Sequence, residues 1–459
     1  TNFAAAVGAL GPASIWLWIV ASLGQLVIAL VIAELGTRIP LAGYSYQWGA
    51  RLVNSAYGWF TGAIGLAYLS VGAAAINFVV VAPLVGTLLQ PVLHTNPSDP
   101  TTNLLITLVI FAANLTINIV SVRLAARINS IAVFTEIVGM VGFAVVLFVA
   151  WAIHPDHSFA FLFDTGSAHT TGAVLAALPV AGLMGIFTIV GFELAADLGE
   201  EAIQARVTVP RAVTWSVVSA AVLGMVALIG FAIAIPNIGA VAASPAPLAA
   251  IVQHWLGGGM AAAFLVLVIF SIFALDIVGL AATGRLVFAM GRDNILPASR
   301  FLRRVNTRTR TPIRALGTAS GLAIFFTLWG YVIQRTGQGQ SAFFALVTAT
   351  ASLPFIVYFL TVLAYVVRRR RLSALPGAFT LGIWARPVMY LALGWTVLVL
   401  LLLTVPSTFW SADVVIAVVL VVAAAWYLAV LRRRLARGEA GVRALDATPD
   451  LAPDENPGR

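Results

Sequence analysis

The sequence has no cysteine and no lysine, and little charge of either sign. Without thiols there are no disulfides, thiolate metal sites, iron–sulfur clusters or cysteine nucleophiles, and the redox compartment leaves no mark. All 26 basic residues are arginine, so a lysine-bearing phosphate loop and Schiff bases to pyridoxal or retinal are excluded, since each needs an ε-amine. Only 9% of the 459 residues are charged, against 61% hydrophobic. That length would fill about three soluble domains of roughly 150 residues, but the composition fits no soluble class. The chain is an integral membrane protein by composition, with 26 basic and 17 acidic residues and a net charge of +9.

The first ten residues, Thr1 to Leu10, are fairly apolar and end at Gly11-Pro12. They are too few to cross a hydrocarbon core of about 30 Å and carry no basic start of a cleavable signal. They predict the second half of an interrupted span, with the first half upstream. Apolar runs long enough to span are predicted at 12–36, 57–89, 102–121, 129–152, 173–199, 212–235, 259–284, 313–333, 342–366, 387–404 and 412–431. Counting the opening half-span as the first, these are spans 2 to 12. Nearly all the arginine falls in 36–56, 122–128, 200–211, 285–312, 367–386 and the tail, whereas 90–101, 153–172, 237–258 and 405–411 hold none. The positive-inside rule therefore predicts a cytoplasmic arginine-rich side and a cytoplasmic C-terminus. Trp16, Trp18, Trp151, Trp329 and Trp410 lie near predicted span ends, as an interfacial aromatic belt requires.

The arginines between Arg300 and Arg314 and at Arg368 to Arg371 are explained by this anchoring without a nucleic-acid partner. Residues 432–459, rich in Arg, Pro, Asp and Glu, predict a disordered tail. His94, His154, His157, His169 and His254 fall in predicted external connections and lack metal-ligand spacing. No metal and no cofactor is expected.

An ionisable residue at bilayer depth is a functional candidate by default. Three qualify: Glu136 in the fifth span, Glu193 in the sixth and Asp276 in the eighth. No arginine is predicted at their depth, so each must be protonated, solvated in a cavity, paired with a transient cation, or held by a neighbouring helix carbonyl. Glu193 follows Pro179, Gly182, Gly185 and Gly191 in one stretch, which predicts a span weakened midway, where free carbonyls meet an ammonium or ion and free N–H groups meet a carboxylate. Asn77, Asn114, Asn118 and Thr188 are further intramembrane polar groups, read first as interhelical hydrogen-bonding residues.

At this point the residues match a family. Gly11-Pro12-Ala-Ser-Ile-Trp-Leu-Trp18 leading into Ala33-Glu34-Leu-Gly-Thr-Arg38-Ile-Pro40-Leu-Ala-Gly43-Tyr44-Ser-Tyr46-Gln-Trp48 resembles the second span and first cytoplasmic loop of amino acid–polyamine–organocation (APC) superfamily permeases. Gly191-Phe192-Glu193 with Glu200-Glu201 and Val209-Pro210-Arg211 is similar to that family's sixth span and its exit. Arg285-Leu-Val-Phe-Ala-Met-Gly-Arg292-Asp293-Asn-Ile-Leu-Pro297 is similar to its signature after the eighth. The resemblance covers essentially the whole chain, with the amino acid/choline branch (GABA, choline and polyamine permeases) as its nearest flavour.

The resemblance implies an all-α integral membrane fold of the leucine-transporter type, a 5+5 inverted repeat with two extra helices and twelve spans. It divides the chain into a first repeat at 1–152, a second at 173–366, spans 11 and 12 at 387–431, and the tail. For the substrate it implies Thr1 and Asn2 at the start of the outer half of span 1, Phe187 as the aromatic closing over substrate, Thr188 to Gly191 (Ile189 included) as the unwound segment, and Glu193 as the acidic residue beyond it. For coupling, Glu136 falls where many proton-coupled members carry lysine. The charge is reversed, and Glu136 with Asp276 becomes the expected seat of a proton or cation. Glu34, Arg285, Arg292 and Asp293 are assigned to a cytoplasmic gate.

The function implied is a secondary active permease in the plasma membrane for an amino acid or small organic amine, coupled to protons (or Na+) or exchanging. The alternatives are a choline- or polyamine-type cation transporter and a transport-dead receptor on the same fold. A channel would need a repeated polar filter, and a membrane enzyme a nucleophile–base pair or metal ligands, and no His, Cys or Lys lies at bilayer depth to supply them.

Overall fold

The computed structural model describes residues 2–442 except 95, 198, 308, 310 and 373–376, with side chains other than those of 201, 337–347, 371 and 408. The chain opens with α1 (Asn2–Leu10), a 3-10 turn at Pro12–Trp16 and α2 (Leu17–Arg38). Next come α3 (Tyr44–Leu52), α4 (Ser55–Ala75), a π-helical turn at Ile76–Val81 and α5 (Ala82–Leu93). Then follow α6 (Pro100–Val120), α7 (Val122–Ile153), α8 (Thr171–Thr188), α9 (Leu194–Asp197), α10 (Ala205–Ile233) and α11 (Ile238–Ala243). The last are α12 (Pro247–Arg292), α13 (Ser299–Leu302), α14 (Ile313–Ile333), α15 (Gly339–Arg368), α16 (Ala385–Thr404), α17 (Trp410–Trp426) and α18 (Arg432–Ala436).

Among the described residues, eleven helical stretches are long and apolar enough to cross a membrane. In lipid every backbone polar group must be satisfied internally, so a chain this apolar has the continuous helix as its economical solution. The helix starts are set by local chemistry. Asn54 accepts from the Tyr57 amide, Asp99 from Thr102, Ser121 from Leu124 and Thr170 from Ala173, each satisfying an amide that the first turn leaves without a partner.

Three boundaries differ from those read off the sequence. The fifth span begins at Val122 rather than 129, because the Ser121 cap lets the turns bearing Arg123 and Arg127 join the helix. The eighth is preceded by helix from Pro247, broken only at Gly257, whose φ of 82° is left-handed. The sixth does not run to 199: α8 stops at Thr188 and α9 is a single turn.

The tail also differs, since 432–442 is structured. Gly441 donates to the Asp293 carbonyl at 2.9 Å, the Val442 amide to Ser55 Oγ at 3.0 Å, and Asn294 Nδ2 to the Glu439 carbonyl at 2.7 Å. These backbone pairings dock the segment on the ends of α4 and α12, which charge composition alone does not reveal. Residues 443–459 lie outside the described residues.

The helices form an inner and an outer set. Spans α2, α4 with α5, and α15 bury most of their surface, whereas α7 buries the least and exposes Ile131, Phe134 and Val138. Outward apolar side chains on α7, α10, α14, α16 and α17 make the lipid-facing surface that a multi-pass protein requires. Trp410 and Trp384 stand exposed at helix ends.

Candidate functional site

The interruption after α8 organises the site. Pro179, Gly182 and Gly185 do not break the helix, contrary to the expectation from sequence, and α8 runs through all three. Gly185 serves packing instead, since a Cβ there would lie 2.6 Å from that of Ala21 on α2. The break falls at Ile189 to Glu193, where Gly191 takes a φ of +89° that side-chain-bearing residues rarely adopt. The last helical bond runs from the Ile189 amide to the Gly185 carbonyl at 3.1 Å, and the chain resumes with Leu194 N on Gly191 O at 3.0 Å. Among the described residues no hydrogen bond ends on the carbonyls of Thr188, Ile189 or Val190.

Thr188, Val190 and Gly191 open onto a cavity of about 760 Å³, whereas Ile189 is buried and does not line it. Asn2 from α1, Phe187, Thr188 and Gly191 from the break, Glu136 from α7 and Asp276 from α12 all line it, within a mostly apolar wall that includes Trp18, Tyr68, Phe111 and Met140. Volume and lining match a small-molecule pocket in which a few polar groups orient the ligand. Thr1 lies outside the described residues.

Glu193 is placed differently from the expectation. It is 1% exposed and does not line the cavity. Its Oε2 accepts from Tyr358 Oη at 2.5 Å, and the Phe192 ring stacks on that of Tyr358 at 5.4 Å. The Gly191 amide donates to the same tyrosine oxygen at 3.3 Å. Glu193 thus pins the break to α15 from behind. Tyr358 went unnoticed in the sequence because nothing local marks it: 165 residues separate the pair.

Glu136 and Asp276 share the cavity but do not sit side by side. Helices α7 and α12 run antiparallel, with Gly139 against Leu267 and Phe143 against Phe264 at 5.1 Å. Counting from these contacts at about 1.5 Å per residue, Asp276 lies about 9 Å nearer the arginine-rich face than Glu136. Glu136 lines the cavity with Val133 and Ile137 and is exposed, whereas Asp276 is 8% exposed beside Asn77. The close carboxylate pair expected from the sequence is absent for this reason.

The four charges assigned to a gate fall into two groups on the arginine-rich face. Glu34, fully buried, accepts from Arg38 Nη2 at 2.7 Å, Tyr365 Oη at 2.7 Å and the Leu381 amide at 3.2 Å, with Arg369 Nη2 at 3.8 Å. It ties α2 to α15 and to the start of α16. Asp293, at the end of α12, accepts from Tyr46 Oη at 2.7 Å and Gln47 Nε2 at 3.1 Å, with Arg292 at 3.6 Å. Burial, and then the Asp293 charge, push the Tyr46 phenol far above its ordinary range, so it stays a donor. Arg285 lies about two turns earlier on α12, on the same side.

A third group was missed. Asp197 of α9 accepts from the Gly43 amide at 2.5 Å and Glu200 from the Ala42 amide at 3.0 Å, so the inner side of the break holds the first turn of α3. The i,i+4 spacing of Glu34 with Arg38, and of Tyr365 with Arg369, was the one local signal available for these networks.

A multi-pass helical protein with a polar-pointed cavity at a broken span and charged networks on its arginine-rich face belongs to the class of membrane transporters. The profile of the amino acid permease family matches residues 1–427, and the chain belongs to that family. It is 25% identical over 405 residues to an uncharacterized amino-acid permease of Schizosaccharomyces pombe, covering 86% of this chain and 71% of the relative. It is 25% identical over 420 residues to the GABA-specific permease of Saccharomyces cerevisiae, covering 86% and 70%. The branched-chain amino acid permease BcaP of Lactococcus lactis is 26% identical over 383 residues, covering 80% and 77%. The resemblance to APC permeases is borne out, and with it the all-helical transporter architecture and amino acid transport as the activity.

Proposed function

We propose that the chain is a secondary active permease of the plasma membrane that carries an amino acid or a small amine-bearing solute by alternating access, as proton symport or exchange. The observation that carries this reading is the broken span: Thr188, Val190 and Gly191 line a cavity of about 760 Å³ that Asn2 and Phe187 also line, and among the described residues the Thr188 and Val190 carbonyls accept no hydrogen bond. Carbonyls at a helix break attract an ammonium, and helix N-termini attract a carboxylate, so an amino acid is held by backbone without a fixed side-chain charge. The relatives named for GABA and for branched-chain amino acids are consistent with a backbone site whose side-chain compartment varies.

In this reading residues 1–152 and 173–366 are the two mirrored repeats, 387–431 adds two spans, and the arginine-rich face with the C-terminus is cytoplasmic. Glu136, which lines the cavity, is the group that takes up the proton. The Glu34 network closes the cytoplasmic end and releases when α2 and α15 separate.

Counterflow in proteoliposomes tests it. Vesicles preloaded with unlabelled amino acid should accumulate labelled amino acid transiently, with GABA and branched-chain amino acids as the first probes. Binding without counterflow identifies a receptor and refutes the transport reading. Glu136→Gln should flatten the pH dependence of uptake while sparing exchange, and an unchanged pH profile would remove Glu136 from coupling.

A further inference from the structure

Away from the helix break, α12 carries one buried carboxylate, and the π-helical turn after α4 and helix α6 each carry a buried carboxamide. Asp276 is buried, and its Oδ2 has no hydrogen-bond partner. Asn77, fully buried on the π-helical turn, interacts with Asp276; its Nδ2 donates to the Ala73 carbonyl at 2.9 Å and its Oδ1 has no partner. Asn114 is 1% exposed, lines the same cavity as Asp276, and leaves both amide atoms without a partner. One turn on, Asn118 Nδ2 donates to the Asn114 carbonyl at 2.9 Å and the Ile277 carbonyl at 3.1 Å, locking α6 against α12 at this depth.

Buried polar atoms without partners are uncommon and call for a ligand or ordered water. Asn77 Oδ1 and Asn114 Oδ1 are thus unmatched oxygens on segments packed near α12, and Asp276, which takes a hydrogen bond from Asn77, forms no ion pair among the described residues. A proton would neutralise Asp276 but leave the Asn77 and Asn114 oxygens unmatched. A divalent ion would leave one charge uncompensated in a low-dielectric surround. An all-oxygen set with one negative charge suits a hard monovalent cation. The π-helical turn at Asn77 strengthens the case, because such bulges mark functional positions inside long helices.

We propose that Asp276, Asn77 and Asn114 form a sodium site, separate from the amino acid pocket at the break and from Glu136. Its use in coupling rests on the permease reading, but its existence does not. The ion neutralises Asp276 and draws α4, α6 and α12 together beside the cavity, so occupancy of the site stiffens the wall that faces the substrate.

The test is thermal unfolding of the purified full chain, with NaCl replacing KCl at constant total salt. The expected result is a saturable rise in the midpoint with Na+ that is absent in Asp276→Asn. Asn114→Leu, which keeps the carboxylate and fills the same space with an apolar side chain, should shift the half-saturating Na+ concentration upwards at least tenfold. A midpoint independent of the Na+/K+ ratio, or a sodium response that survives in both variants, overturns the site. Amino acid shifts measured in the same samples separate the two readings. An amino acid response without a sodium response removes the cation site and leaves the permease, whereas a sodium response alone supports the site and counts against the substrate reading.

Discussion

Removing one oxygen tests whether Tyr358 holds the helix break in place. Tyr358→Phe deletes the hydroxyl that donates to Glu193 at 2.5 Å and accepts from the Gly191 amide at 3.3 Å, and changes nothing else in side-chain shape. A hydrogen bond to a charged group contributes about 1.5–3 kcal/mol, and a buried acceptor stripped of its partner carries a desolvation cost of similar size. Glu193 Oε1 has no hydrogen-bond partner, so the variant removes the one side-chain donor that the carboxyl has among the described residues. A loss of about 2–3 kcal/mol follows. With an unfolding entropy of about 2.1 cal/mol/K per residue, a chain of 459 residues has about 1 kcal/mol/K, so the midpoint should fall by about 2–3 °C. The assay is thermal unfolding of Tyr358→Phe, Glu193→Gln and the double variant, with uptake measured in parallel. Glu193→Gln retains an acceptor for Tyr358 and should bind substrate nearly as well as the parent, since the side chain does not line the cavity. The two changes should couple by about 1 kcal/mol or more in a double-mutant cycle. Additive effects, or a Tyr358→Phe midpoint equal to the parent's, would refute the reasoning.

Three other outcomes are expected. Gly11→Ala should cost about 3 kcal/mol, read as lost thermal stability, because Gly11 adopts φ 61° and ψ −168°, a conformation nearly reserved for glycine, and a Cβ would run into the Asp164 carbonyl. Thr102 hydrogen bonds hold Asp99 below the ordinary carboxylate range. A depressed folded-state pKa gives stability that is present above the unfolded pKa and lost as pH falls through the folded one. Asp99→Asn, which keeps the cap but not the charge, should therefore lower the midpoint slightly near neutrality and lessen its decline in acid. Glu34→Gln weakens the contacts to Arg38 and Arg369 and should raise solvent access to the arginine-rich face, measured by hydrogen exchange of the α2 and α15 ends; unchanged exchange would detach Glu34 from closure.

Much of this protein was legible from its sequence. Membrane class, span positions and the arginine-rich face follow from hydropathy and arginine counts, because lipid exposure is settled residue by residue along the chain. The family followed from short motifs in fixed order, and the profile match over residues 1–427 bears it out. Which residue does what within the bilayer was less legible. Four candidate breakers stand in the sixth span, and only Gly191 is used, because α2 claims the bare backbone of Gly185 for close packing. Three intramembrane carboxylates looked alike in sequence, yet Glu193 is bonded to Tyr358 behind the cavity, while Glu136 lines the cavity from α7 and Asp276 lines it from α12 beside Asn77.

The reason is geometric. A helix turns about 100° per residue, so one step of rotation or a stop one turn early moves a side chain from cavity to core. Partners such as Glu34 and Tyr365, 331 residues apart, meet only when α2 packs against α15. What the sequence alone determined was the solvent of each segment and the lineage of the chain. The tertiary structure decided where the broken span opens, which polar groups line the cavity, and which are held behind its wall, since those depend on how helices distant in sequence are rotated against one another.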